Sequence, residues 1–207
     1  EEDRLVLFTH ERNPEAEVWS GPRLGPEAAR ELYGADQAYP IDQLETRLPG
    51  LLEMHRDVFF RLGASSRVER IVVEALNWGR TRGQRTGTGP RAVRDPGVVL
   101  DSLRLVKAPE EIAYIREAAA VTAETFREAM GHTRPGMGEW ELEAVLEAGF
   151  RGRGARGPAF PTIVAAGANA CFLHYVANDT LIGEGDLVLL DAGAEVGLYA
   201  GDVSRTH

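Results

Sequence analysis

"GDLVLLDAGAEVGLYAGDVSRT", residues 185–206, is the stretch whose reading decides how this chain folds. An apolar run from Leu187 to Leu190 ends on Asp191, and a second aspartate, Asp202, follows eleven positions later. Both halves read as strands, and glycines at 193, 197 and 201 mark breaks or turns. If Val196-Gly197 is the tight turn of an antiparallel hairpin, Glu195 faces Leu198, Ala194 faces Tyr199 and Asp191 faces Asp202. Facing residues share one side of a sheet with Cα atoms about 5 Å apart. Two carboxylates side by side destabilise a sheet unless something offsets their charge. A shared proton would do so, as would an arginine, or divalent cations held between the carboxylates. Arg205 is close in sequence, but its odd offset from Asp202 sends it to the other face of a regular strand. A bulge at Gly197 or Gly201 that leaves both acids solvated, with nothing bound, is the remaining alternative.

Working outward, "FPTIVAAG" (160–167) and "CFLHYV" (171–176) read as further strands. His174 lies on the second and can reach the face of Asp191. An imidazole there could carry a proton or hold a substrate oxygen, or it could be a packed core histidine. Two helices precede these strands. The first starts at Pro109-Glu110-Glu111, with proline and acids in its first turn, and carries the stripe Ile112, Ile115, Ala119, Thr122, Ala123, Phe126 and Met130. The second, 139–154, carries Trp140, Leu142, Val145, Leu146 and Phe150. Gly152, Gly154 and Gly157 spell GxGxxG, but a helix precedes them and a strand follows. That is the reverse of a dinucleotide fingerprint, so these glycines end the helix and turn the chain.

The first hundred residues alternate short strands and helices, which implies an α/β domain. Strands are expected at 4–9, around Trp19 and at 57–63, and helices at 25–34, 40–53 and 67–81. "RGQRTGTGPRAVRDPG" (82–97) lacks apolar periodicity and reads as a linker, followed by a strand or turn over 98–106. The domains are thus expected at 1–97 and 98–207.

Composition narrows the function. The 207 residues carry a net charge of −9, which disfavours nucleic-acid binding through phosphates. Cys171 is the single cysteine, so no internal disulfide can form and a reducing compartment, the cytoplasm, is expected. No apolar run approaches the roughly 18 residues of a membrane span, so no membrane partner is expected.

Three segments together resemble the M24 "pita-bread" metallopeptidases, in their aminopeptidase P (Xaa-Pro aminopeptidase) branch: "LRLVKAPEEIAYIREAAAVTAE", "PAFPTIVAAGANACFLHY" and "GDLVLLDAGAEVGLYAGDVSRT". "LFTHERNPEAEVWSGPRLGPEAARELYG" is similar to the creatinase-like N-terminal domain of that family. The resemblance implies part of that α/β domain followed by the first part of a pita-bread catalytic domain. It implies two divalent metal ions, manganese in this branch, with Asp191 and Asp202 as ligands and His174 lining the active site. The implied reaction releases the N-terminal residue of a peptide whose second residue is proline, in a protein that forms homo-oligomers. A prolidase acting on Xaa-Pro dipeptides and a non-catalytic pita-bread binding module are the alternatives. The family completes its site with a histidine and two glutamates further downstream, and His207 does not match that histidine. The chain is therefore expected to be a fragment cut at both ends and inactive alone.

Overall fold

The computed structural model describes residues 4–207, and the chain divides into two compact units, Glu1–Leu103 and Arg104–His207.

The first unit opens with β1 (Val6–Thr9), α1 (Pro14–Ser20), α2 (Gly25–Tyr33) and β2 (Gln37–Pro40), with β1 and β2 parallel. A 3-10 turn (Ile41–Gln43) leads into α3 (Leu44–Leu52), β3 (Asp57–Phe59) and α4 (Ser66–Thr81). Then come the single turn α5 (Gly83–Thr86), β4 (Ala92–Arg94) parallel to β3, and α6 (Gly97–Leu105). Parallel pairs need a crossover between them, and here helices supply it.

Three expectations for this unit fail, two for local reasons and one through a pairing distant in sequence. Trp19 lies on a helix, because Asn13 caps α1 by accepting the Ala16 N–H at 3.1 Å and Pro14 opens its first turn. Residues 82–97 are not a plain linker, since β4 pairs with β3 there. Residues 98–105 are helical despite Val98 and Val99, because the Asp95 side chain accepts the Gly97 N–H at 2.6 Å and caps the start.

The second unit packs two helices against two three-stranded antiparallel sheets. The helices are α7 (Pro109–His132) and α8 (Glu139–Gly152), followed by β5 (Gly157–Pro158), β6 (Ile163–Ala166) and a 3-10 turn (Gly167–Cys171). The hairpin region supplies β7 (Val188–Ala192), β8 (Ala194–Val196), β9 (Tyr199–Ala200) and β10 (Val203–Thr206). β7 is central between β6 and β10, and β8 lies between β5 and β9, all antiparallel. Alternation along β7 buries Val188, Leu190 and Ala192 in the core with Leu142, Leu146 and Phe150 of α8. Each large apolar side chain so buried contributes about 1.5–3 kcal/mol.

The buried stripe of α7 is Ala118, Val121, Thr122, Thr125, Phe126 and Ala129, rotated from the expected one, and Ala119 is exposed. Threonine is tolerated inside because Thr122 donates to the Ala118 carbonyl at 2.7 Å and Thr125 to that of Val121 at 2.8 Å. Residues 171–176 are not a strand. They form the end of the 3-10 turn and an irregular loop.

Candidate metal centre

Because Leu190 and Ala192 face the core, Asp191 points to the opposite side of β7. Its Cα neighbours are Ile163 on β6 and Ser204 on β10. Asp202 precedes β10 directly. The expected pairing of Asp191 with Asp202 is therefore wrong by two residues. Val196 pairs with Tyr199, so the two turn residues are Gly197 and Leu198, at φ 56° and 70°. A two-residue hairpin of this hand needs positive φ at both turn positions. Placing Val196 in the turn would force a β-branched residue into that region, at greater cost than Leu198 pays. A two-residue shift preserves the side of the sheet. Asp202 thus becomes the diagonal neighbour of Asp191 on one face.

Asp191, Asp202 and His174 all line one cleft of about 470 Å³, together with Phe160, Pro161, Ile163 and Val176. His174 arrives there on the loop after the 3-10 turn and is exposed, so it is not a core histidine.

Glycines make the strand arrangement possible. A Cβ on Gly193 would lie 1.6 Å from the Gly201 carbonyl oxygen, so the two backbones meet where only glycine fits. The ladder breaks at this point, and Thr122 of α7 accepts the Ala194 N–H at 2.9 Å in place of a strand partner.

The charges are not offset by protein. Among the described residues no ion pair reaches either aspartate, and Arg205 donates to the Ser204 carbonyl instead. Asp191 Oδ1 is buried without a hydrogen-bond partner, which argues against a proton shared with another group. A buried carboxylate oxygen left bare, beside a second carboxylate and small residues, fits a divalent cation, whose preferred donors are such oxygens. Among the described residues no third His, Cys, Asp or Glu joins them as a candidate ligand. Asp191 and Asp202 are the two residues here that could contribute carboxylate oxygens to a cation, and His174 lines the same cleft.

One residue that sequence reasoning passed over is Glu139, in the first turn of α8 and fully buried. Its Oε1 accepts from the Ala166 N–H (2.8 Å) and Asn169 Nδ2 (3.1 Å), and its Oε2 from the Tyr175 hydroxyl (2.9 Å) and the Thr180 N–H (3.0 Å). Burial pushes the carboxyl up, but these four donors together outweigh it and hold Glu139 below the ordinary carboxylate range. The Tyr175 phenol is raised, by burial first and by its bond to Glu139 second. The signal was present in the sequence: Glu139 falls on the helical stripe of Leu142, Leu146 and Phe150, where a charge needs partners.

Residues 113–207 match the family described as Metallopeptidase family M24, and residues 1–59 match that described as Aminopeptidase P, N-terminal domain. The chain is 41% identical over 201 residues to the Xaa-Pro aminopeptidase of Escherichia coli K12, covering 97% of this chain and 46% of that protein. Xaa-Pro aminopeptidase 3 of Mus musculus is 34% identical, over 98% of this chain and 39% of its own length. The solved structure of Pseudomonas aeruginosa aminopeptidase PepP superposes with a TM-score of 0.89 at 43% identity, covering 97% of this chain and 46% of that one. The chain thus spans about half the length of the relatives it matches. It belongs to metallopeptidase family M24 through residues 113–207, and carries an aminopeptidase P N-terminal domain over residues 1–59.

Proposed function

We propose that the protein to which these residues belong is a metal-dependent aminopeptidase that releases the N-terminal residue of peptides with proline in second position. The observation that carries this reading is the convergence of Asp191, Asp202 and His174 on one cleft, with Asp191 Oδ1 buried and bare. Asp191 and Asp202 hold divalent metal, manganese in this reading, and two ions in the complete ligand set. Bound there, such ions supply a water nucleophile at neutral pH and Lewis-acid polarisation of the peptide carbonyl. His174 faces the cleft without being a ligand, placed to hold a substrate oxygen or to pass a proton at its ring nitrogen. Phe160, Pro161, Ile163 and Val176 give the cleft an apolar wall that excludes water from the substrate and suits a proline ring. The 1–59 unit is part of an accessory domain of the same enzyme, and the single free cysteine, exposed Cys171, suits a reducing compartment.

The test is hydrolysis by the full-length gene product of an Xaa-Pro-Xaa peptide, followed by chromatography of the released amino acid. Release that is abolished by a chelator, restored by manganese, and reduced at least about 100-fold in Asp191→Ala and Asp202→Ala is expected. Cleavage of Xaa-Pro dipeptides alone would replace this reading with a prolidase. Peptide binding without any cleavage would replace it with a binding module.

A further inference from the structure

The segment that carries His174 joins β6 to β7 through residues 167–187 and contains no strand of its own. No hydrogen bond to the His174 ring is found among the described residues, so its direction is set by the main chain beneath it. That main chain is tied to a single point. Glu139 accepts from Ala166 where the segment leaves β6, from Asn169 in the 3-10 turn, from Tyr175 directly after His174, and from Thr180 beyond it. Asn169 Nδ2 also reaches the Tyr175 hydroxyl at 3.0 Å and Thr180 Oγ1 at 2.9 Å, which cross-links the donors. Asp179 Oδ1 lies 3.0 Å from the same Tyr175 hydroxyl and competes for its one proton. Bonds to an ionised acceptor are roughly twice as strong as neutral ones, and more so where water is excluded. Glu139 is itself fixed by the buried α8 stripe and by its own N–H, which donates to the Thr180 carbonyl at 2.9 Å. It does not line the cleft.

We propose that Glu139 is a positioning residue for His174: its buried carboxylate gathers Ala166, Asn169, Tyr175 and Thr180 and so holds the loop that presents the imidazole to the aspartate cleft. The inference rests on the reading of His174 as a site residue. Glu139→Gln keeps the volume but replaces one acceptor oxygen with a donor that faces another donor. Hydrogen–deuterium exchange of this chain is expected to rise about tenfold or more in peptides covering 167–180, while α7 and β7 keep their protection. Unchanged exchange in 167–180 overturns the inference alone. In the full-length gene product, Glu139→Gln is expected to lower kcat about 10- to 100-fold at unchanged metal content, and to cost nothing further when His174 is already alanine. Additive losses overturn the inference, because Glu139 would then act by a route other than His174. Full activity in His174→Ala overturns it together with the reading of His174, an outcome distinguishable from the first because exchange would still rise. If Glu139→Gln does not fold, Tyr175→Phe deletes one donor only. It is expected to loosen the same peptides and to be non-additive with His174→Ala, and failure of either overturns the inference.

Discussion

At the scale of single residues, burial without a partner is the recurring theme. His207 is a second instance after Asp191. Its Nε2 lies 2.9 Å from Thr133 Oγ1, whose own proton goes to the Ala129 carbonyl, so Nε2 carries the ring proton. Nδ1 is buried with no partner. Protonating it would place a cation where nothing accepts its hydrogen, and burial accordingly lowers the His207 pKa below its ordinary 6.5. As pH falls through that unfolded value, the unfolded chain takes a proton that the folded chain refuses. Stability is therefore lost from about 6.5 downward until the folded value is reached, and is unaffected above. His207→Phe should flatten the dependence of urea-unfolding free energy on pH in that window. An unchanged slope would show that His207 does not titrate between the two states. Sequence reading set His207 apart from the family's ligand histidine but did not predict its burial, because burial depends on the α7 end, where Thr133 meets the ring.

At the scale of elements, the hairpin from Val188 to Thr206 shows which part of a register a sequence can specify. Alternation placed both aspartates on one face, and that survived. The turn position did not, because it depends on which pair of residues bears positive φ at least cost. Leu198 still pays for its place at φ 70° and is exposed, so it loses little on replacement. Leu198→Gly should stabilise the chain by about 0.5–1 kcal/mol in chemical denaturation. Gly193→Ala should do the reverse, by about 2–4 kcal/mol, since its methyl would meet the Gly201 backbone rather than a side chain that can move. If both variants unfold like the parent chain, the hairpin geometry described above is wrong. The helices teach a related lesson. Asn13 and Asp95 each cap a helix start where a strand (around Trp19) and a strand or turn (98–106) were expected, and one such cap, worth about 1 kcal/mol, competes with the β-preference of a few residues in an element this short.

At the scale of the whole molecule, the mixed fold was legible in the alternation of short strands and helices, and the family in the resemblance of the three segments that hold α7, His174 and the two aspartates. What depends on contacts distant in sequence was not legible: the pairing of β3 with β4, the rotation of the α7 stripe, and the partners that the buried Glu139 finds. The core of the second unit is where α8 meets β6 and β7, with Phe150 fully enclosed. Phe150→Ala should cost about 3–5 kcal/mol, read from thermal unfolding by near-ultraviolet dichroism. A loss under 1 kcal/mol would mean this core can collapse around the gap. The Glu139 network also imposes an order in time. Its donors lie 27 to 41 residues downstream, so during synthesis the carboxylate emerges well before anything that can satisfy it. Until residues 166–180 have followed, the Glu139 carboxylate keeps its water, and burying it with the apolar stripe of α8 would strip an ion that nothing else satisfies. Closing a loop of that length costs chain entropy that the bonds repay only together. The histidine loop is therefore expected to order together with the core that buries Glu139, not ahead of it.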